Sequence, residues 1–164
     1  MICIRKAKTT DIDRLVKLET TLYQQHAKND SRFKNIEFIS RSAVEDEIAS
    51  LEYYFVISDE HFVFGFIKSI EKEVKESELV KKRRYMEILD LIIEEEYRNK
   101  GFGKRLIKTI EEIAREKQFD CVEIPVYCFN EQANTFYEEN GYRNYVVRKF
   151  KKIREEERKR IRKQ

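Results

Sequence analysis

Glycine and proline are scarce: four Gly and one Pro in 164 residues. With so little punctuation, elements should be long and loops short. Cysteine is scarce too. Three Cys is an odd and sparse count, which excludes a disulfide-stapled scaffold. Cys3, Cys121 and Cys128 show no metal-ligand spacing with one another or with His26 and His61, so no metal is expected. Cys3 and Cys121 fall in runs that read as strands, where buried core thiols are expected. No apolar run approaches the roughly 18 residues of a membrane-spanning helix. The opening MICIRKAKTT has no apolar stretch of the kind a secretory leader carries. The expected setting is the cytoplasm, with reduced thiols and no membrane partner.

What the chain has in abundance is charge. Charged residues make up 40% of it and the mean hydropathy is −0.71, values that verge on disorder. Against this stand 11 Phe and 9 Tyr in periodic runs, and a hydrophobic share of 41%, enough for one core but not two. A single domain over residues 1–150 is expected, followed by a tail at 151–164. The net charge of +3 hides an asymmetry: from Arg148 onward Lys and Arg outnumber Glu ten to three, which leaves a mildly acidic body. The body favours a cationic substrate. The basic tail reads as a solvated helix, though it could also attract nucleic acid.

Periodicity orders the elements. Residues 2–5 read as a strand. Thr9-Thr10-Asp11 is a helix start, and Ile12, Leu15, Val16, Leu18 and Leu22 carry that helix to about His26. A second helix is predicted over 42–50, then a hairpin of strands at 53–57 and 62–70 turning at Asp59-Glu60. Residues 72–84 read as an exposed loop or hairpin tip, and 85–93 as a central strand. Leu106, Ile107, Ile110, Ile113 and Ala114 define an amphipathic helix. A strand at 121–126, a short helix closed by Asn140-Gly141 and a last strand at 142–150 complete the order β-α-α-β-β-β-α-β-α-β. Interleaving of this kind gives an α/β (α+β layered) fold around a mixed sheet.

The central strand runs into Arg98-Asn99-Lys100-Gly101-Phe102-Gly103-Lys104 and then into a helix. Glycine lets a ligand approach the backbone, and a helix start offers unpaired N–H groups and a positive dipole end, so the segment suits an anion such as a pyrophosphate. It is neither a nucleotide P-loop nor a complete dinucleotide fingerprint. A second segment, Asn130-Glu131-Gln132-Ala133-Asn134-Thr135-Phe136-Tyr137-Glu138-Glu139-Asn140-Gly141-Tyr142, follows about 30 residues later.

Together these two segments resemble the GNAT superfamily of N-acetyltransferases. Arg98, Gly101 and Gly103 fill its R/Q-x-x-G-x-G/A motif. Asn130, Ala133, Phe136, Tyr137, Gly141 and Tyr142 fill its second, and Gly65 stands where the family often has glycine. The resemblance covers nearly the whole element order. It implies a mostly antiparallel sheet flanked by helices, and a direct acetyl transfer from acetyl-CoA to a primary amine with no metal. It implies that Arg98 through Lys104 hold the pyrophosphate, and that Leu91, Ile92 and Ile93 pair with the pantetheine arm where the central strand splays from the next. Asn130 and Ala133 stand beside that arm, and the Ile93 N–H serves as oxyanion donor. Tyr137 is the implied general acid, within reach of the cofactor. Glu87, Asp90 or water is the implied base. In a regular strand these two carboxylates face opposite sides, and only a β-bulge would bring them together. The first helix and the loop after it, with Tyr23, His26 and Phe33, would line the acceptor site.

The acceptor implied is a small-molecule amine (a polyamine or an aminoglycoside-like amine) or a protein amine. The loops at 28–39 and 72–84 that would choose it vary most in the superfamily, and a homodimer is left open. Two rival readings are a non-catalytic acyl-CoA-binding or sensing module, and a nucleic-acid or ribosome-associated protein acting through the basic tail.

Overall fold

Alternation of apolar residues builds the sheet, and i, i+3, i+4 stripes build the helices that cover it. A computed structural model describes residues 1–151. The chain divides into two units, residues 1–130 and residues 131–164. The first unit holds β1 (Cys3–Lys6), α1 (Ile12–Asn29), α2 (Arg41–Ser50), β2 (Tyr53–Ser58), β3 (Val63–Val74), β4 (Arg83–Ile93), α3 (Phe102–Glu116) and β5 (Cys121–Glu123). Short 3-10 turns at Thr9–Asp11 and Glu95–Tyr97 lead out of β1 and β4. The second unit contains α4 (Glu131–Glu139).

The five strands stand in the order β1-β2-β3-β4-β5. Every pairing is antiparallel except β4 with β5, which is parallel. On one face Tyr54, Val56, Phe66 and Ile92 pack with Leu15, Leu18 and Leu22 of α1 and Val44 of α2. The opposite parity of β2–β4 supplies Ile57, Ile67, Met86 and Ile88, buried as are Leu106, Ile107 and Ile110 of α3. Asp11 fixes the 3-10 turn that leads into α1, accepting both Arg5 guanidinium nitrogens, at 2.7 and 2.9 Å, and the Lys8 N–H at 2.9 Å. No helix among the described residues is long and apolar enough to cross a membrane.

The mixed, mostly antiparallel layer fold is the one expected, but several details differ. The last strand expected over 142–150 does not form: no ladder includes it, and Tyr145, Val146, Val147 and Phe150 are exposed. Strand propensity is realised only against a partner edge, and none of the five strands supplies one to this segment. The observed order therefore ends on α4. β5 stops at Glu123 rather than 126, because Pro125 has no N–H to extend a ladder. The charged stretch at 72–84 is less of a loop than expected. Paired strand carries it to Val74 and from Arg83, with Glu73–Lys82 at 3.0 Å and Glu71–Arg84 at 3.6 Å bridging across, so the loop is only 75–82. The thiols are also corrected. Cys3 and Cys121 are exposed, as is Cys128, because β1 and β5 are the two edges of the sheet. The basic tail at 152–164 lies outside the described residues.

Candidate active site

β4 and β5 are partners for only three residues, Tyr85 with Cys121, Met86 with Val122 and Glu87 with Glu123. Just beyond, β4 carries one residue too many. Asp90 faces Lys68 and Ile88 faces Ser69, so Leu89 has no partner on β3 and forms a bulge. A bulge bends its strand and sharpens the twist. Here it does so where β5 departs, and the two strands separate from that point. The Glu94 N–H bonds the Phe64 carbonyl of β3 at 2.8 Å. Strand alternation then turns the Ile93 N–H and C=O away from β3, to the side β5 has left. The Ile93 carbonyl is taken by Arg98 Nε at 2.9 Å, so Arg98 closes the end of the slot.

The chain then turns sharply. Asn99 and Gly101 both have positive φ, 60° and 79°. Gly101 adopts this without a Cβ penalty and caps α3. The turn is pinned from below: the Phe64 ring stacks on Tyr97 at 4.2 Å and meets Phe102 at 5.0 Å. The first α3 hydrogen bond runs from the Arg105 N–H to the Gly101 carbonyl. Helix geometry leaves the N–H groups of Phe102, Gly103 and Lys104 without an acceptor inside the helix. Three donors and a dipole end beside Arg98, Lys100 and Lys104 fit a pyrophosphate.

The bulge has a second effect. Lys68 and Ile70 of β3 share a face, and their partners Asp90 and Glu87 therefore share it too. This is the face covered by α1 and α2. Asp90 lies 3.0 Å from Lys68 Nζ, which also meets Glu47 at 2.8 Å and Glu19 at 3.5 Å. The Tyr54 hydroxyl donates to Glu19 at 2.6 Å. Burial works to lower the Lys68 pKa, but Asp90, Glu19 and Glu47 outweigh it and raise it. Burial pushes Glu19 up despite the lysine charge. The Tyr23 phenol is pushed up to about 12, by burial first and then by Asp90.

His26 stands one helical turn beyond Tyr23, among the rings of Tyr23 (5.9 Å), Phe33 (5.1 Å), Tyr127 (5.2 Å) and Phe129 (6.3 Å). Its Nδ1 is buried with no hydrogen-bond partner among the described residues. Burial lowers its pKa and the charge of Asp90 only partly offsets this. A histidine less basic folded than unfolded binds its proton more readily unfolded, so its contribution to stability is present above the ordinary value of 6.5 and is lost as pH falls through the folded value. His26→Phe is expected to flatten the loss of stability as pH falls below about 6.5, followed by urea midpoints across pH. An unchanged slope would mean that the ring is not titrating.

In the second unit Tyr137 is 7% exposed, and its ring meets Phe136 at 5.1 Å and Tyr142 at 5.6 Å. Gly141 ends α4 with φ 90°, as the Asn140-Gly141 pair led one to expect. Asn130 donates its N–H to the Tyr127 carbonyl at 2.9 Å, and Ala133 lies in the first turn of α4.

The sequence profile of the Acetyltransferase (GNAT) family matches residues 12–142, most of the chain. The chain belongs to the GNAT acetyltransferase family. Solved structures agree at the level of fold. A tetramutant of the BH1408 protein from Bacillus halodurans superposes with a TM-score of 0.85 at 24% identity, over 92% of this chain and 99% of that one. The aminoglycoside acetyltransferase meta-AAC0020 from an uncultured soil metagenomic sample gives 0.68 at 20% identity, over 93% and 97%. The aminoglycoside N-acetyltransferase AAC(6')-Iy in complex with CoA gives 0.70 at 14%, over 93% and 95%. No curated protein is a significant match to the sequence.

Within this GNAT domain the residues singled out from sequence divide by unit. Glu87, Asp90, Leu91 to Ile93, the 98–104 turn, Tyr23, His26, Phe33 and Asn130 belong to the first unit, while Ala133 and Tyr137 belong to the second. Sequence reading missed Lys68, Glu19 and Glu47, which look like ordinary surface charges in so charged a chain. It also missed Tyr127 and Phe129. The place of Lys68 inside the nearly continuous apolar run from Val63 to Ile70 was the available signal for the lysine.

Proposed function

We propose that the protein transfers an acetyl group from acetyl-CoA directly to a primary amine. The observation that carries this reading is the parting of β4 from β5 at the Leu89 bulge, followed directly by the N–H groups at the start of α3. An opening strand edge with outward main-chain groups beside an anion site suits a thioester on a long arm that ends in a pyrophosphate. In this reading Arg98 to Lys104 hold the phosphates. Leu91, Ile92, Ile93, Asn130 and Ala133 hold the arm. The Ile93 N–H donates to the carbonyl oxygen as charge builds there.

The amine must shed a proton before it attacks, since a free alkylamine has a pKa near 10.4. Glu87 or Asp90 receives that proton, directly or through water. Attack forms the new N–C bond and a tetrahedral oxyanion; as the C–S bond then breaks, Tyr137 gives the departing thiolate its proton, and the surplus N–H proton of the adduct, passed through water, restores the phenol. Tyr23, His26 and Phe33 line the approach of the amine. The aminoglycoside acetyltransferases among the structural neighbours support a small cationic acceptor, as does the acidic body of the chain.

Thermal unfolding with and without acetyl-CoA tests the cofactor half. Ligand at about 100 times its Kd should add about 2.7 kcal/mol, or roughly 5–10 °C. Gly101→Val, which strains a left-handed position by about 1–2 kcal/mol, should lower the unliganded Tm and abolish the shift. Thiol release over a panel of spermidine, an aminoglycoside and a lysine peptide tests the transfer half. A shift without thiol release from any amine would favour a binding module instead.

A further inference from the structure

Lys68 lies in the middle of β3 and is 1% exposed. Lysine is almost never so buried unless paired. Its partners come from three elements: Glu19 from α1, Glu47 from α2 and Asp90 from β4. The rings of Tyr54 and Phe66 stand 5.7 and 5.6 Å from Nζ. A buried pair contributes little net stability, because desolvation consumes the Coulomb gain. Three carboxylates around one ammonium contribute less still, since the anions repel one another.

The cluster is also graded. The Glu19 side chain is 2% exposed, Asp90 13% and Glu47 37%, so one end is sealed and the other opens outward. Asp90 is the member that the Leu89 bulge has turned onto the face it shares with Glu87. Asp90 interacts with Lys68 from β3, Tyr54 from β2 and Tyr23 and His26 from α1; Glu19 from α1 and Glu47 from α2 share its lysine, and Glu87 of its own strand shares its face. Lys68 is the single cation among them.

We propose that Lys68 is a positioning residue that fixes the Asp90 carboxylate on the acceptor face, as the anion that receives the ammonium of the incoming amine. The inference rests on the acetyl-transfer reading above. It explains the excess of negative charge, because the second cation arrives with the substrate. It also explains why the lysine is anchored to both helices that cover this face.

The test uses the full chain, the amine of the panel that turns over best, and kcat and KM measured across pH. Lys68→Met should raise the amine KM by about tenfold or more, which is about 1.4 kcal/mol of lost recognition. Acetyl-CoA affinity should stay as in the wild type. The acid limb of the rate profile should move to higher pH, because carboxylates left facing one another take up a proton more readily. Lys68→Arg should restore both, and Lys68→Met should add nothing to KM once Asp90→Asn is present. Glu47→Gln removes an anion from the open end, so it should fold and move the acid limb to lower pH. It carries the test if Lys68→Met does not fold. A folded Lys68→Met with wild-type amine KM and acid limb, or a Glu47→Gln limb that stays in place, overturns the proposal alone. A wild-type protein that binds acetyl-CoA but acetylates no amine overturns the functional reading and the proposal with it.

Discussion

Alanine at position 65 should lower stability by about 1–3 kcal/mol, the usual cost of overpacking, and valine by more. Gly65 sits on β3 directly across from Ile93. A Cβ built there would stand 2.5 Å from Ile93 Cδ1, 2.7 Å from the Ile92 carbonyl oxygen and 3.0 Å from Ile57 Cγ2. A side-chain methyl can rotate away, but the carbonyl oxygen belongs to the β3–β4 ladder and can yield only if the strand moves. The substitution therefore pushes on the backbone that carries the outward Ile93 N–H. Acetyl-CoA affinity should fall together with stability. Urea midpoints of the alanine variant, with and without acetyl-CoA, check both. A wild-type midpoint would show that β4 relaxes around the added methyl at no cost.

Tyr137→Phe should lower kcat by about 10²–10⁴, the range of a lost general acid, and leave acetyl-CoA affinity nearly unchanged. The phenol oxygen is the only atom removed, and Tyr137 is buried, so the ring contacts with Phe136 and Tyr142 should persist. The choice of acyl donor separates acid catalysis from packing. Loss of the acid should leave turnover higher with acyl donors whose thiol leaves more easily, whereas a packing defect slows all donors alike. Equal turnover by wild type and variant would remove Tyr137 from the chemistry.

The fold was legible where periodicity is strong. The apolar stripe of α1, the stripe of α3 and the Asp59 turn are local patterns that tertiary packing reinforces. In that turn Asp59 caps the His61 and Phe62 N–H groups at 2.8 and 2.9 Å. The stretch at 142–150 was misread because alternation states a preference for a strand but cannot supply the neighbour that makes one. The exposed thiols were misread for a related reason: periodicity places a residue in a strand without saying whether that strand is an edge. At the site, the turn residues were legible because glycine at a left-handed position and a helix start leave a mark in sequence. The Lys68 cluster left none, since its members are separated by as many as 71 positions and meet only through register.

Leu89 acts as a parity switch. A strand assigns its side chains to two sides by odd and even position, so one unmatched residue reverses the assignment for everything before it relative to everything after. Val122 and Glu123 register with the stretch before the switch, while Asp90 to Ile93 follow it. Substitutions on the two sides of position 89 are thus governed by opposite rules, apolar where the other rule asks for charge. Deleting this single codon would do more than shorten a strand: it would exchange, over half of β4, the residues that face α1 and α2 with those that face α3. A relative without the extra residue would align correctly with this chain only if the gap falls at that position, in mid-strand, rather than in the neighbouring loop.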